Sequence, residues 1–444
     1  MTTVVRRTPP KLPRPFPAPL VNSPVIEELR EQLATVVPEK SGVIVEEFWR
    51  RHQRRPVVDQ HTGGGTGSGA TLTVTFLWRD AQADEVLLFI NRMIDEWALG
   101  NSLMRRVEGT DVWWLAYRMD PDWRASYAFL PRRHDEPTLW AAGDPVRLRQ
   151  ALGHGRHDPG NPVTCRNRAG VTQSVVELPG APVQRWLAAR AADSPTADLS
   201  ATRTGSVAEL TGPEGRRLWV YRPDRPEGVG EGSGLAAGTP VILAFDGDVW
   251  NGRVGESTQD LPTTLRNLTA DGLLPPSLAI MIDSGSRDQR WRDLDPSTGI
   301  GGYLAEVLLP WVRERFAVLA ARDQVLVTGQ SLGGLVALSA GISHPEAIGN
   351  VVAQSASLWQ DDLRAALGDR TLTGSRFCVQ FGRQEWSLRR PNLVLARELR
   401  ARGADVTVQV HNGGHDYAWW RGAIGDGLAK VWGTAQLPHK IRQG

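Results

Sequence analysis

Cysteine is nearly absent: the 444-residue chain has two, Cys165 and Cys378. Two cysteines cannot build the disulfide framework of a small secreted scaffold, and they read as reduced thiols of a cytoplasmic protein. Net charge is close to nil. Lys and Arg number 51 against 49 Asp and Glu, a formal balance of 51 − 49 = +2. So weak a field excludes binding a polyanion by bulk charge, and no nucleic-acid partner is expected. Long apolar runs are missing too. The most apolar stretch, 325–342, is broken by Gln330, Ser331 and several glycines. It falls short of the roughly 18 uninterrupted apolar residues of a membrane span, so no membrane partner is expected. The first twenty residues hold four basic residues and six prolines without an apolar segment, and do not read as a secretory signal.

What is present is an ordinary globular composition with one excess. Hydrophobic residues make up 41% and charged residues 23%, which suits a packed chain rather than a disordered one. The length suggests about two to three domains. Tryptophan, at 17 residues, is the excess. So large a ring is placed to fill a core or to face a flat aromatic ligand.

The hydrophobic pattern divides the chain. Residues 1–23 read as a disordered Pro-rich arm. Residues 24–200 read as an N-terminal domain. It opens with helical spacing over 24–37 and a short helix or strand over 43–54, followed by a Gly-rich linker at 63–69. From 71 come short alternating runs rich in Thr, Val and aromatics (TLTVTFLWR, EVLLFINRM, RASYAFLP). These predict an all-β, immunoglobulin-like sandwich. The stretch 135–182 reads as loop-rich. Residues 201–444 begin with one or two strands and a second glycine loop near 227–234. Apolar strands then alternate with amphipathic segments: PVILAFDG, LAIMID, QVLVTG, NVVAQSA, RFCVQFG and DVTVQV. That alternation predicts a doubly wound, mostly parallel α/β sheet, with helices over 259–271, 299–317, 332–343, 391–402 and 418–432.

The strongest motif is Gly329-Gln330-Ser331-Leu332-Gly333-Gly334. It follows an apolar strand and precedes a helix, the context a G-x-S-x-G nucleophile elbow needs. Small residues at 329 and 333 let a sharp turn form around Ser331, and the helix start aims N–H groups at developing negative charge. A serine nucleophile needs a base, which follows it in this fold class. His415, in the loop His411-Asn412-Gly413-Gly414-His415-Asp416, leads its rivals: His344 ends the elbow helix, His411 closes a strand and His439 lies in the tail. Paired glycines free the backbone to aim the His415 ring, and Asp416 is placed to cap the last helix. The acid should follow the preceding strand, where Gly382-Arg383-Gln384-Glu385-Trp386 offers Glu385. A surface ion pair is the other reading of Glu385, and Asp361 and Asp362 sit one strand earlier. For the oxyanion, the N–H of Leu332 would pair with that of Asp248 in Phe245-Asp246-Gly247-Asp248-Val249-Trp250, which also fits an ordinary Asp-Gly turn.

These residues carry a resemblance along almost the whole chain. Val74-Thr75-Phe76 with Trp78-Arg79-Asp80, Gly109-Thr110-Asp111-Val112-Trp113, and Trp123-Arg124 with Ser126-Tyr127, Phe129 and Pro131 match in the N-terminal half. Asp246-Gly247 with Trp250, the elbow, and Gly414-His415-Asp416 with Trp420-Arg421-Gly422 match in the C-terminal half. The chain resembles the enterobactin (enterochelin) esterases. The N-terminal motifs are the specific ones, since the elbow alone would fit any esterase D-like hydrolase. The resemblance implies a β-sandwich that helps form the substrate site, an α/β-hydrolase domain, and a cytoplasmic role in releasing iron from ferric trilactone siderophores. It implies Ser331 as nucleophile, His415 as base and Glu385 as acid. The family's Arg-x-x-Glu-Leu segment stands here as Arg290-Trp291-Arg292-Asp293-Leu294, with Asp for Glu. That departure leaves the particular siderophore open.

A ferric tris-catecholate is anionic with broad aromatic faces, so its site should offer Arg and aromatic walls. Arg124, Trp250, Arg290, Arg292, Arg383 and Trp420 are the candidates. Iron enters only as part of this substrate. No cofactor and no protein-bound metal are expected, because no His, Cys or carboxylate cluster has metal-ligand spacing. A general esterase or acyltransferase of the same fold, and a binding module that has lost catalysis, are the competing readings. Nothing in the sequence speaks to oligomeric state.

Overall fold

The computed structural model describes residues 10, 12–60, 71–187, 206–223, 235–236, 238–253, 258–318 and 320–433. The glycine stretches expected at 63–69 and 227–234 lie outside the described residues. The chain forms two compact units. Among the described residues, one comprises those between 12 and 183 together with Asn412–Trp419; the other comprises those between 184 and 411 together with 420–433.

The N-terminal unit contains β1 (Val57–Gln60), β2 (Leu72–Arg79), β3 (Glu85–Ile90), β4 (Arg105–Arg106), β5 (Val112–Met119), β6 (Arg124–Arg132), β7 (Thr164–Arg166) and β8 (Thr172–Glu177). They make two four-stranded sheets, ordered β1-β2-β5-β4 and β3-β6-β8-β7, with every pair antiparallel. Alternate residues from both sheets share one core: Val74, Phe76, Leu115 and Tyr117 from the first, Leu88, Ile90, Tyr127 and Phe129 from the second. Phe76 and Tyr127 meet edge to face across it, with ring centroids 5.0 Å apart, the geometry aromatic quadrupoles favour. The outer face of β2 and β5 is also buried. Leu77, Trp114 and Ala116 pack with Ile26, Leu29, Phe48 and Trp49 from the helices Pro24–Ala34 and Pro38–Arg51. The unit is therefore a two-sheet sandwich with a helical layer, not an all-β one.

Two further expectations change here. The Pro-rich arm is ordered where it is described. β4 pairs only with Trp113 and Trp114, so it leaves the rest of that edge of β5 unpaired. The arm takes the place: Val21 N–H donates to Ala116 O (3.1 Å) and Arg118 N–H donates to Pro19 O (2.8 Å). Extended proline-rich backbone still accepts hydrogen bonds, so it can cover a sheet edge. The stretch 135–182, read as loop-rich, holds a helix, Pro145–Ala151, besides β7 and β8. Its start is signalled by Asp144, whose carboxylate accepts from the N–H groups of Val146 and Arg147, with Pro145 at the first helical position.

The C-terminal unit contains β9 (Ser206–Thr211), β10 (Arg217–Arg222), β11 (Val241–Ala244), β12 (Leu278–Ile282), β13 (Val325–Gln330), β14 (Asn350–Gln354), β15 (Arg376–Gly382) and β16 (Asp405–His411). They form one sheet ordered β16-β15-β14-β13-β11-β12-β10-β9. The six strands from β16 to β12 run parallel, and β10 and β9 are antiparallel additions. Every residue of β11, β12, β13 and β14 is buried, because a parallel sheet is covered on both faces. The helix Leu332–Ser343 is buried along 332–342. Leu335, Val336, Leu338 and Ile342 are each fully inaccessible, worth up to about 1.5–3 kcal/mol apiece. The helix expected from 391 begins earlier, at Trp386, with Pro391 inside it. From β11 the chain moves to β12 on one side; β13 then lies on the other. The carboxyl ends of β11 and β13 thus flank the switch point, where connections diverge and open sheets form their crevice.

The first unit break falls at 183/184, ahead of the boundary read at 200. Trp186 already belongs with the second unit: its indole N–H donates to Asp271 (2.9 Å) and its carbonyl accepts from Asn267 (3.1 Å). The grouping of Asn412–Trp419 with the sandwich was not expected from sequence.

Candidate active site

Ser331 follows the last residue of β13 and holds φ 59° and ψ −118°. A non-glycine residue rarely adopts such a conformation, and holding it costs roughly 1–3 kcal/mol. Neighbours enforce it. Ser331 N–H donates to Gln354 O of β14 (2.9 Å), while Ser331 O accepts from the N–H groups of Leu335 and Ser357 (both 3.0 Å). Gly329 is obligatory for close approach, since a Cβ there would lie 2.5 Å from the carbonyl carbon of Gly333. Ser331 Oγ lies 3.2 Å from Ser357 Oγ. Leu332, 2% exposed, begins the helix, which supplies no acceptor for its own first-turn N–H groups.

The Asp246 turn after β11 is held as firmly. Asp246 has φ 58° and is fully buried. Arg290 grips its carboxylate with two donors, Nε to Oδ1 at 2.6 Å and Nη2 to Oδ2 at 2.8 Å. Ser284 donates to Oδ1 (2.6 Å) and Gln330, beside the nucleophile, donates to Oδ2 (3.4 Å). A fork of two charge-assisted bonds makes the pair rigid and offsets burial of the carboxylate. The turn continues into Gly247–Trp250, which contains Asp248.

Glu385 follows β15 and is also fully buried. Its Oε2 accepts from Gly382 N–H (2.6 Å) and from Ser355 Oγ (2.8 Å). Ser355 in turn accepts from the Trp420 indole N–H (2.9 Å). Ser355 is buried with φ 49°, a second strained serine, one strand from the first. A surface ion pair is therefore not what Glu385 makes. Ser355 and Ser357 were not singled out from sequence. The signal was the Gln354-Ser355-Ala356-Ser357 run at the carboxyl end of a buried strand beside the elbow.

His415 lies in the N-terminal unit, half-buried. Its carbonyl accepts from Asn91 Nδ2 (3.0 Å). Asp416 caps the last helix as expected, Oδ1 accepting from Ala418 N–H (2.9 Å), and its Oδ2 accepts from Ser126 N–H of β6 (2.6 Å). Asn412 donates through Nδ2 to Asp120 (3.1 Å) and Asp122 (2.7 Å), and its carbonyl accepts from Arg124 N–H (3.2 Å). The Trp419 indole N–H donates to Arg124 O (2.7 Å). Gly413 and Gly414 serve close approach rather than unusual dihedrals. A Cβ on Gly413 would lie 2.7 Å from Arg124 O, and one on Gly414 would lie 2.0 Å from Arg92 Cγ.

The expected substrate contacts divide. Arg124 is fully buried, donates to Glu177 (2.9 Å) and Pro182 O (2.5 Å), and stacks 4.6 Å from the Trp419 ring. Arg290 holds Asp246, and Trp420 holds Ser355. These three act on protein groups in this structure, because their donors satisfy buried acceptors that would otherwise be orphaned. Trp250 is 4% exposed. Arg292 and Arg383 are exposed. Arg253, not singled out from sequence, lines a cavity of about 250 Å³ together with Arg421, Gln259 and Asp260. Among the described residues no three His, Cys, Asp or Glu side chains gather as a metal site, and no helix is long and apolar enough to cross a membrane.

Comparison with known proteins gives matches in both halves of the chain. Residues 73–187 match the family model described as enterochelin esterase, N-terminal, and residues 234–431 match that of putative esterases. The iron(III) enterobactin esterase of Escherichia coli K12 is 28% identical over 386 residues, covering 81% of this chain and 91% of that protein. The iron(III) salmochelin esterase of Escherichia coli O6:H1 is 27% identical over 438 residues, covering 92% and 98%. Among solved structures, the ferric enterobactin esterase of Salmonella typhimurium aligns with a TM-score of 0.68 at 26% identity, over 87% of this chain and 98% of that one. The Shigella flexneri enterobactin esterase, crystallised in the presence of enterobactin, aligns with a TM-score of 0.65 at 25% identity, over the same shares.

Proposed function

We propose that this chain, similar along most of its length to the enterochelin esterases, hydrolyses the ester bonds of a ferric catecholate trilactone of the enterobactin kind, inside the cell. The observation that carries the chemistry is the strained Ser331 turn at the carboxyl end of β13, beside the switch point. A hydroxyl held there, at a helix start, is a nucleophile waiting for a base.

In the proposed mechanism His415 accepts the Ser331 proton as Oγ attacks a lactone carbonyl. The N–H groups of Leu332 and Asp248 hold the oxyanion, and the grip of Arg290 on Asp246 keeps the second donor in place. His415 returns the proton to the leaving hydroxyl of the trilactone, and water repeats the cycle on the acyl-enzyme. Glu385 is read as the acceptor that orients the imidazole, completing a Ser-His-Glu triad. Support for this comes from position: Glu385 leaves β15, and the chain reaches residue 415 four residues after β16 ends at His411. Strand order puts both strands on the β14 side of β13. Arg292 and Arg383 are exposed, and we assign them to the anionic ligand because a planar guanidinium suits an anionic aromatic group. Iron enters with the substrate. Opening the ring removes the tether that keeps three catechols at high effective concentration, and iron binding weakens without chemistry at the metal.

We also read the sandwich as immunoglobulin-like. Its β1-β2-β5-β4 order corresponds to strands A, B, E and D of that fold, and β3-β6-β8 to C, F and G.

Mass spectrometry of products from ferric and iron-free trilactones, set beside hydrolysis of p-nitrophenyl esters, tests the assignment. Linear and monomeric products from the trilactone are expected. Cleavage of simple esters alone would place the chain with general carboxylesterases instead. Ser331→Ala is expected to lower turnover by on the order of 10⁶ while ligand binding persists. Near-normal turnover by that variant removes Ser331 from the mechanism.

A further inference from the structure

The last loop of an α/β-hydrolase sheet would be expected to take its shape from the sheet it leaves. Here the loop 412–419 is grouped with the sandwich, and it bonds to several sandwich residues. Backbone groups of β6 hold it at both ends: Arg124 N–H donates to Asn412 O, and Ser126 N–H donates to Asp416 Oδ2. Between those ends, Asn91 Nδ2 donates to the carbonyl of His415 itself. The two glycines before His415 leave room for just these neighbours, since side chains there would collide with Arg124 O and with Asn91 and Arg92.

We propose that the N-terminal sandwich sets the position of the catalytic base, with Asn91 and Asn412 as positioning residues for His415. The inference rests on the reading of His415 as base. It assigns the sandwich a part in the chemical step. An imidazole displaced by about 1 Å can lose on the order of 100-fold in rate, so a few bonds to one loop are enough to couple the sandwich to turnover. Asn91 acts on the backbone of residue 415, and Asn412 anchors the loop through Asp120 and Asp122. Neither is read as touching substrate.

The experiment uses the full-length chain with Asn91→Ala, Asn91→Asp, Asn91→Gln, Asn412→Ala and His415→Ala. Two rates are measured: turnover of the ferric trilactone, and covalent labelling of Ser331 by a fluorophosphonate, which reports base activation without the natural substrate. Thermal unfolding is followed in parallel. Asn91→Ala and Asn412→Ala are expected to lower kcat and labelling together by about 10- to 100-fold, with KM changed less than about threefold and cooperative unfolding retained. Asn91→Asp keeps the size and loses the donor, so it should match Asn91→Ala. Asn91→Gln keeps the amide and should recover part of the rate, which a purely structural role would not require. Loss of activity in His415→Ala with full rates in both asparagine variants overturns the inference and leaves the base assignment standing. Full rates in His415→Ala overturn both.

Discussion

Ser355 links two residues that sequence reading kept apart. Its hydroxyl donates to Glu385 and accepts from Trp420, while its backbone is fixed in a left-handed conformation, its N–H donating to Gln380 O at 2.6 Å. A buried carboxylate is tolerated only with its charge spread over donors. Ser355→Ala removes one of the two donors described for Oε2. If Glu385 orients the base, kcat should fall by roughly 10- to 100-fold with KM nearly constant, and Glu385→Gln should fall at least as far. Equal kcat in wild type and Ser355→Ala, measured on the trilactone, would separate this hydroxyl from catalysis. The same residue accounts for the polar end of Trp420. A tryptophan beside an expected site suggests an aromatic wall, yet its indole N–H needs a partner when buried, and Ser355 is that partner. Arg124 and Arg290 follow the same logic with guanidinium groups.

At the level of elements, three glutamines run across adjacent parallel strands. Gln354 Nε2 donates to Gln380 Oε1 (2.8 Å), and Gln380 Nε2 donates to Gln409 Oε1 (2.6 Å). Two of them also fasten the last helix: Gln354 donates to Trp420 O (3.0 Å) and Gln380 to Ala423 O (2.6 Å). Side chains in register on parallel strands stack on one face, so their amides can pair in series. Gln380→Leu leaves the Ala423 carbonyl and the Gln409 amide short of a partner, and should cost roughly 1–3 kcal/mol. A unit of this size then loses about 2–4 °C in Tm per kcal/mol. Calorimetry reads the shift. An unchanged Tm would show that the ladder is not what ties helix to sheet. Each glutamine follows an apolar residue in its strand. Their register, set by β14, β15 and β16, gives them their meaning.

On the scale of the whole molecule, the chain passes between its two units more than once: near residue 183, and again at 411/412 and 419/420. A boundary search along the sequence looks for one linker and cannot find an eight-residue exchange. Both cysteines are buried and outside any disulfide, Cys165 in the sandwich and Cys378 on β15. Burial first, and then the nearby Asp426 carboxylate, pushes the Cys378 thiol up to about 12. At pH 8 its thiolate fraction is then on the order of one in ten thousand. Native protein should leave Ellman's reagent unreacted over an hour, and unfolded protein should release two equivalents. Rapid reaction of either thiol in the native state would contradict this packing.

The sequence by itself determined the layout of the catalytic unit and the identities proposed for its chemistry. Apolar runs of strand length alternating with helical segments permit little besides a covered parallel sheet, and Gly329, Ser331 and Gly333 are legible because a sharp strand-to-helix turn admits few residue types. Tertiary structure alone decided which polar side chains are open to a ligand and which are latches. That difference depends on acceptors distant in sequence: Asp246 for Arg290, Ser355 for Trp420, Glu177 and Pro182 for Arg124. It also decided that the loop bearing His415 takes its bonds from the sandwich. Local sequence encodes the flexibility of Gly413 and Gly414, whereas the surface they must fit is built from residues some three hundred positions earlier in the chain.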